Sequence, residues 1–256
     1  MLDKMGIPYF HLVPPNAHSV YPEDLPDHVY THHTRPIFQL IEELAANNSF
    51  ATLIYPLEEI VAAKHRLLYP KTDPHWSAIG AFLAYERLAE EMSPVVRMHR
   101  VAEEDVAYIE RMLVGELGFK VEPQLEAPTI EAQVTNPTAY LVSDNCVMNT
   151  GSTIVTECAE APLTTCMMLG DSFSDALRPY LAASFRRFVF AQTPRLDYDF
   201  IREHDPDVVI SVLNERFMII VPDDLNGPTV KDLEREKRAH DLVREPIRIF
   251  PRRDAA

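Results

Sequence analysis

The chain has 256 residues, 46% of them hydrophobic, which is enough to bury one sizeable core and lies near the upper end of single-domain length. Its 39 acidic residues against 24 basic ones give a formal net charge of -15, which opposes attraction to phosphate backbones and anionic surfaces and excludes nucleic acid as a partner. The opening MLDKMGIPYFHLVPPN has no basic region ahead of an apolar run, and no later stretch approaches the roughly 20 apolar residues of a membrane span, so neither a signal peptide nor a direct membrane span is expected.

In chain order, short β-rich runs alternate with helical patterns, the rhythm of a parallel sheet with crossover helices, so the predicted class is α/β. The first strand is read at 7–13, IPYFHLV. The chain opens on it directly, without the lead-in such a sheet usually has, which fits a sequence lacking residues at its N-terminus. PIFQLIEELAAN, 36–47, places Ile37, Leu40, Ile41 and Leu44 on one helical face, and FATLIY, 50–55, is the next strand. SAIGAFLAYERLAEEM, 77–92, carries Ile79, Phe82, Leu83 and Leu88 on another helical face. Both faces are expected to pack on the sheet. From about 115 to 162, β-prone pieces and prolines replace the helical period and predict a β-rich insertion. Strands return at 165–169, 185–190 and 207–213. The end begins as a charged helix and finishes, from about 245 to 256, as a loose basic tail. One domain over 1–256 is expected.

Cys146, Cys158 and Cys166 match neither a disulfide framework nor a zinc spacing. In an exported protein Cys146 and Cys158 could bridge within one segment, leaving Cys166 as a buried thiol. His28, His32 and His33, with His11 and His18 upstream, offer a spacing that can chelate on a helix. No carboxylate or cysteine shares that spacing, and Pro26 argues against the helix, so neither metal nor cofactor is expected.

KTDPHWSAIGAF, 71–82, has an ordinary reading in which Asp73 caps a helix and Pro74 takes its first position. That leaves His75 and the chain's single tryptophan, Trp76, unexplained. In CMMLGDSFSDALRPYL a β-prone run ends at Gly170-Asp171-Ser172 and a helical pattern follows. A serine there stands at the sheet's carboxyl edge with its own N–H near a helix start, suited to an oxyanion, and Gly170 permits the tight turn. The ordinary alternative is a cap at Ser174 or Asp175 with Ser172 idle. A hydroxyl nucleophile needs a base, and the base needs an acid to fix its tautomer; Ser172, His75 and Asp73 supply all three.

The order T-D-x-H-W then G-D-S-F resembles the alginate O-acetyltransferase family of AlgX and AlgJ, relatives of the SGNH hydrolases in which Asp-x-His precedes the serine. VPPNAHSVYPEDLP, LLYPKTDPHWSAIGAFLAYERL and HDPDVVISVLNER extend the likeness over most of 7–220. Pro74 and Ser77 depart from the threonine-like residue and the asparagine expected there. The resemblance implies an SGNH-hydrolase-like three-layer α/β/α fold with a mostly parallel sheet. It also implies Ser172 as nucleophile, His75 as general base and then acid, and Asp73 as the orienting carboxylate. The glycine and asparagine blocks of ordinary SGNH oxyanion holes are not evident, so Asn214, just past a strand end, is either the candidate second donor beside the Ser172 N–H or a turn residue. Trp76, Arg216 and Arg178 are candidate substrate contacts, and Arg178, Arg186, Arg187 and Arg216 form a candidate basic patch for a polyanion. The activity implied is transfer of acetyl from a donor to a polysaccharide hydroxyl through an acyl-serine, with a membrane acyl-transfer partner, in a periplasmic or other extracytoplasmic exopolysaccharide pathway. Two alternatives stay open: a carbohydrate acetyl esterase of SGNH type, and a glycan-binding or scaffold protein that keeps the fold around a degenerate site.

Overall fold

The structure, a computed structural model, describes residues 1–29 and 34–252. Among them the strands are β1 Tyr9–Leu12, β2 Thr52–Ile54, β3 Val106–Leu113, β4 Ala127–Val134, β5 Tyr140–Asp144, β6 Thr153–Glu157, β7 Thr165–Gly170, β8 Arg187–Gln192 and β9 Val208–Val212. Seven of these join in the order β2-β1-β9-β7-β8-β6-β5. From β2 to β8 the strands are parallel, with Phe10 opposite Thr52 and Ile210, and Met168 opposite Ile210 and Phe190. β6 and β5 are added antiparallel at one edge.

The central strands are apolar at nearly every position because both faces of the sheet are covered, as parallel sheets require. Cys166, Met168, Phe188, Phe190, Ile210 and Val212 pack on one side with the helices Leu57–Ala62, Ala78–Met92 and Arg178–Ser184. Met167, Leu169, Val189, Ala191 and Val209 pack on the other with Phe200 and Ile201 of the helix Tyr198–His204 and Val230 of the helix Val230–Ala239. The result is a three-layer α/β/α fold of SGNH type. The Ala78–Met92 helix buries Ile79, Phe82 and Leu88 as its periodicity requires, together with Tyr85 and Met92.

Several expectations are corrected. The Pro36–Ala46 helix buries only Ile37, and Ile41 is exposed, because it lies beside the three-residue edge strand β2 and has little sheet to cover. Ahead of the expected first strand, Leu2–Met5 forms a helical turn that Gly6 ends, so the chain does not open on the strand directly. The strands within 115–162 divide. β4 pairs with β3, which begins earlier at Val106, whereas β5 and β6 extend the main sheet. The end of the chain is not loose as far as Arg252: the Pro251 carbonyl accepts from Leu141 N–H, Phe250 is buried, and Arg244 pairs with the buried Asp144 at 2.8 Å. All three cysteines are free thiols. Cys146 follows the end of β5 and Cys158 the end of β6, and the register Asp144↔Ile154 with Tyr140↔Glu157 sets those ends at opposite limits of an antiparallel pair. Four residues of strand separate them by about 13 Å, too far for a disulfide. Among the described residues no group of three or more His, Cys, Asp or Glu side chains could hold a metal, and His32 and His33 lie outside the described residues. No helix among the described residues is long and apolar enough to cross a membrane.

His11 on β1 bonds through Nδ1 to Ser211 Oγ of β9, which also meets Tyr9 Oη at 2.6 Å. Burial lowers the His11 imidazole to about 4. The unfolded chain therefore binds a proton between pH 6.5 and about 4 that the folded chain refuses, and stability present above pH 6.5 is lost as pH falls through that window. That loss amounts to at most about 3 kcal/mol. Replacement of His11 by Gln is expected to flatten the pH dependence of unfolding free energy between pH 6.5 and 4, measured by denaturant titration against the parent protein.

Candidate active site

The site lies at the carboxyl ends of β7, β9 and β1, where ligands bind in open α/β sheets. β7 ends at Gly170, and a 3-10 turn, Ser172–Ala176, leads into the Arg178–Ser184 helix. Asp171 caps that turn: one carboxylate oxygen accepts from Phe173 N–H at 2.9 Å, and the other accepts from Asn214 N–H at 2.7 Å, tying the ends of β7 and β9 together. Gly170 is needed for closeness rather than for an unusual dihedral angle. A Cβ there would run into Ser174 Oγ and the Val212 backbone.

Asp73 and His75 do not begin the helix. They sit in a turn before it, and the helix starts at Ala78 with Ser77 as its cap. The carboxylate of Asp73 accepts from the His75 backbone N–H at 2.9 Å, closing an Asx turn that brings the ring over the same carboxylate. His75 Nδ1 then lies 2.6 Å from Asp73 Oδ1, and His75 Nε2 lies 2.6 Å from Ser172 Oγ. Asp73 Oδ2 accepts a third bond, 3.0 Å, from the backbone N–H of Glu116. That donor comes from the loop joining β3 to β4, which is pinned to the site by Thr72: Thr72 Oγ1 donates to Leu113 O, and the Thr72 carbonyl accepts from Leu117 and Gly118. Gly115 begins this short stretch in the left-handed region, at φ +64, where a side chain would strike the Thr72 carbonyl.

Burial pushes the Asp73 carboxyl up, but the bonds from the His75 ring and backbone and from Glu116 outweigh it and hold the group below its ordinary value. Burial lowers the His75 imidazole, but the hydrogen bond and negative charge of Asp73 overcome this and raise it above 6.5. Burial raises the Asp171 carboxyl against the N–H groups of Asn214 and Phe173 and the nearby Arg216 charge. The arrangement suits a hydroxyl that gives its proton to an imidazole whose positive form a carboxylate stabilises.

The other candidates separate. Trp76 is buried, not lining: its Nε1 donates to the Phe173 carbonyl at 3.0 Å and its ring meets the Phe173 ring edge-on. Arg178 is buried against Phe190 and paired with Asp175 on the helix Arg178–Ser184, out of the site. Asn214 is fully buried; its amide donates to Pro14 O at 3.0 Å and its Oδ1 accepts from Arg216 N–H, so it caps a turn. Arg187 lies at the opposite end of β8, where it pairs with Glu157, so the four arginines form no common patch. Arg216 alone is at the site, exposed, with its guanidinium over Phe173 and Phe217. Its neighbour Glu215 is buried and accepts from Arg35, Ser19 Oγ, Tyr55 Oη and the Asn16 N–H, which fixes the backbone that presents Arg216.

Two clefts flank the hydroxyl and imidazole. One, about 760 Å³, runs past Asp73, Pro74 and Arg216 and is lined by Tyr21, Tyr69 and Lys71 among others. The other, about 330 Å³, opens at Ser172 and is walled by Leu213, Phe217, Ile220 and Pro222. Sequence reasoning missed these walls and the Glu116 donor. The apolar run FMIIV after Glu215-Arg216 was the available signal for the second cleft; a backbone donor has none.

A serine–histidine–aspartate arrangement on the carboxyl edge of this three-layer sheet defines an SGNH-type domain. The family described as the SGNH hydrolase-like domain of acetyltransferase AlgX matches residues 1–193, and the chain belongs to that acetyltransferase family. Among solved structures, Bacillus cereus PatB1 is similar at TM-score 0.69, with 19% identity over 87% of each chain. A DHHW family protein from Eubacterium siraeum is similar at TM-score 0.63, with 14% identity over 94% of this chain and 84% of that one. The O-acetyltransferase domain of Pseudomonas putida AlgJ is similar at TM-score 0.60, with 16% identity over 92% of this chain and 85% of that one. At these identities the likeness is one of fold. Comparison with curated proteins finds no match.

Replacement of Trp76 by Phe keeps an aromatic ring but leaves the buried Phe173 carbonyl without its donor. It is expected to lower the unfolding free energy by about 1–3 kcal/mol, read by chemical denaturation.

Proposed function

We propose that the chain transfers an acetyl group to a polysaccharide hydroxyl through an acyl intermediate on Ser172. The observation that carries this reading is the 2.6 Å contact of His75 Nε2 with Ser172 Oγ, with Asp73 behind the ring. His75 takes the hydroxyl proton as Ser172 Oγ attacks the donor carbonyl, and the imidazolium returns that proton to the leaving alcohol. The acyl-serine then meets a sugar hydroxyl, which His75 deprotonates in turn, and the proton returns to Ser172 as it leaves. Ser172 heads its turn, where helical N–H groups lack intrahelical acceptors, so its own N–H is the donor aimed at the developing oxyanion. One such donor is worth on the order of 3 kcal/mol.

The larger cleft supports a sugar acceptor. The half-buried Tyr21 ring lines it, and Lys71 and Arg216 offer donors in an otherwise acidic protein. Family membership supports acetyl as the group moved, and we place the reaction outside the cytoplasm, with a membrane partner supplying the donor, on the same ground. A carbohydrate esterase would share the first half-reaction and differ only in letting water take the acyl group.

Replacement of Ser172 by Ala is expected to abolish acetate release from a chromogenic acetyl ester and the acetyl adduct on the Ser172 peptide seen by mass spectrometry. Retained turnover would refute the nucleophile. The neutral imidazole is the base, and its titration is raised above 6.5, so kcat/KM should rise with pH through a value above 6.5. In Asp73→Asn that rise should move to lower pH while kcat falls by about 10⁴-fold, as when the orienting carboxylate of a Ser-His-Asp triad is lost.

A further inference from the structure

The cavity at Ser172 is larger and more apolar than a two-carbon acyl group requires. It measures about 330 Å³, and among the described residues its polar side chains apart from Asp171 and Ser172 are Thr150 and Gln192. Leu213, Phe217, Ile220 and Pro222 face it. An apolar cavity of about 150 Å³ already takes benzene, and small-molecule pockets begin near 300 Å³. The wall is also built rather than incidental. Behind it, the guanidinium of Arg195 donates to the Asp224 and Gly227 carbonyls, and Leu196 N–H donates to Asp224 Oδ1 at 2.8 Å. At its near end, Asn214 and Glu215 anchor the turn that carries Phe217. Between those anchors Ile219, Ile220 and Val221 are 77%, 63% and 89% exposed, an apolar rim beside the mouth of the cavity. The charged and hydroxyl-bearing cleft lies on the other side, against Asp73 and Arg216, and that division leaves the apolar side for the acyl chain.

We propose that Ser172 accepts acyl groups of about four to eight carbons as well as acetyl, the chain lying between Leu213, Phe217, Ile220 and Pro222. The proposal rests on the acyl-serine reading above. The bond formed is Ser172 Oγ to the acyl carbon and the bond broken is that carbon to the leaving oxygen, which departs with the proton held by His75. Water then completes hydrolysis when no sugar is present.

The test uses the full chain with p-nitrophenyl acetate, butyrate, hexanoate and octanoate, following nitrophenolate release. kcat/KM is expected to climb from acetate to butyrate or hexanoate by up to about fourfold per added methylene. Ile220→Trp, a change at an exposed rim position, is expected to lower the hexanoate-to-acetate ratio of kcat/KM at least tenfold. Phe217→Ala, which lengthens the cavity, should shift the preferred chain upward. Ser172-dependent turnover confined to acetate, with butyrate at least tenfold poorer, overturns the proposal and leaves the acetyl-transfer reading standing. An Ile220→Trp variant that slows all four esters alike overturns the assignment of this wall to the chain. Absence of turnover with every ester, or turnover that survives Ser172→Ala, removes the acyl-serine reading and this proposal with it.

Discussion

A single buried hydrogen bond, Trp76 Nε1 to the carbonyl of Phe173 at 3.0 Å, clamps together two segments that are 97 positions apart in the chain. One segment carries the imidazole and its carboxylate, the other the hydroxyl, and neither lies within a long helix or a strand. Both are short turns, soft elements on their own. That bond fixes their separation, and the Phe173 ring packed between Trp76 and His75 fixes their tilt. A misplacement of about 1 Å between reacting groups can cost a hundredfold in rate, so under the proposed acyl-transfer reading this contact bears on the chemistry although neither partner takes part in it.

The sheet was legible because its strands are buried on both faces: a run such as TCMML can be little else when a helical pattern follows it across a short turn. The Asp73, His75 and Ser172 set was legible because three residue types with complementary proton chemistry stood in two unusual contexts. What sequence misassigned shares one cause. Trp76, Arg178 and Asn214 all carry polar atoms beside the motifs, and a residue type does not reveal whether those atoms face a cleft or the interior. Here the core claims each of them, through Phe173 O, Phe190 and Pro14 O respectively. The Pro36–Ala46 helix shows the reverse error. Its apolar stripe is real, but the stripe meets a short edge strand, and length of sheet is a property of the whole chain rather than of the window.

The two clefts differ in what they ask of a ligand, and the difference arises from which sheet edge each borrows. On the Asp73 side, the chain after β1 and the turn before the Ala78–Met92 helix contribute tyrosines and cations. On the Ser172 side, the chain after β9 contributes an uninterrupted apolar stretch. The hydroxyl opens on the second cleft, and the carboxylate that holds its imidazole lines the first. For a protein of net charge -15, the exposed Arg216 over Phe173 brings a positive charge near His75 where the global field is negative.

That acidity, which at first only excludes partners, has a constructive use in the structure. The loops at the carboxyl edge present backbone N–H groups with no strand or helix to accept them, and such groups are costly if left buried and unpaired. Carboxylates take them. Asp171 accepts from Phe173 and Asn214, Asp73 from His75 and Glu116, Glu215 from Asn16, and Asp197 from Asp199, Phe200 and Val230. Each joins segments far apart in sequence, and each uses an acceptor stronger than a neutral carbonyl because it is charged. Asp73 differs from the others in one respect: beyond organising two loops it also receives the ring N–H of a histidine. In the proposed reading, a loop-tying carboxylate beside an imidazole is already most of an acid–base relay, and the placement of Ser172 just past the end of β7 completes it.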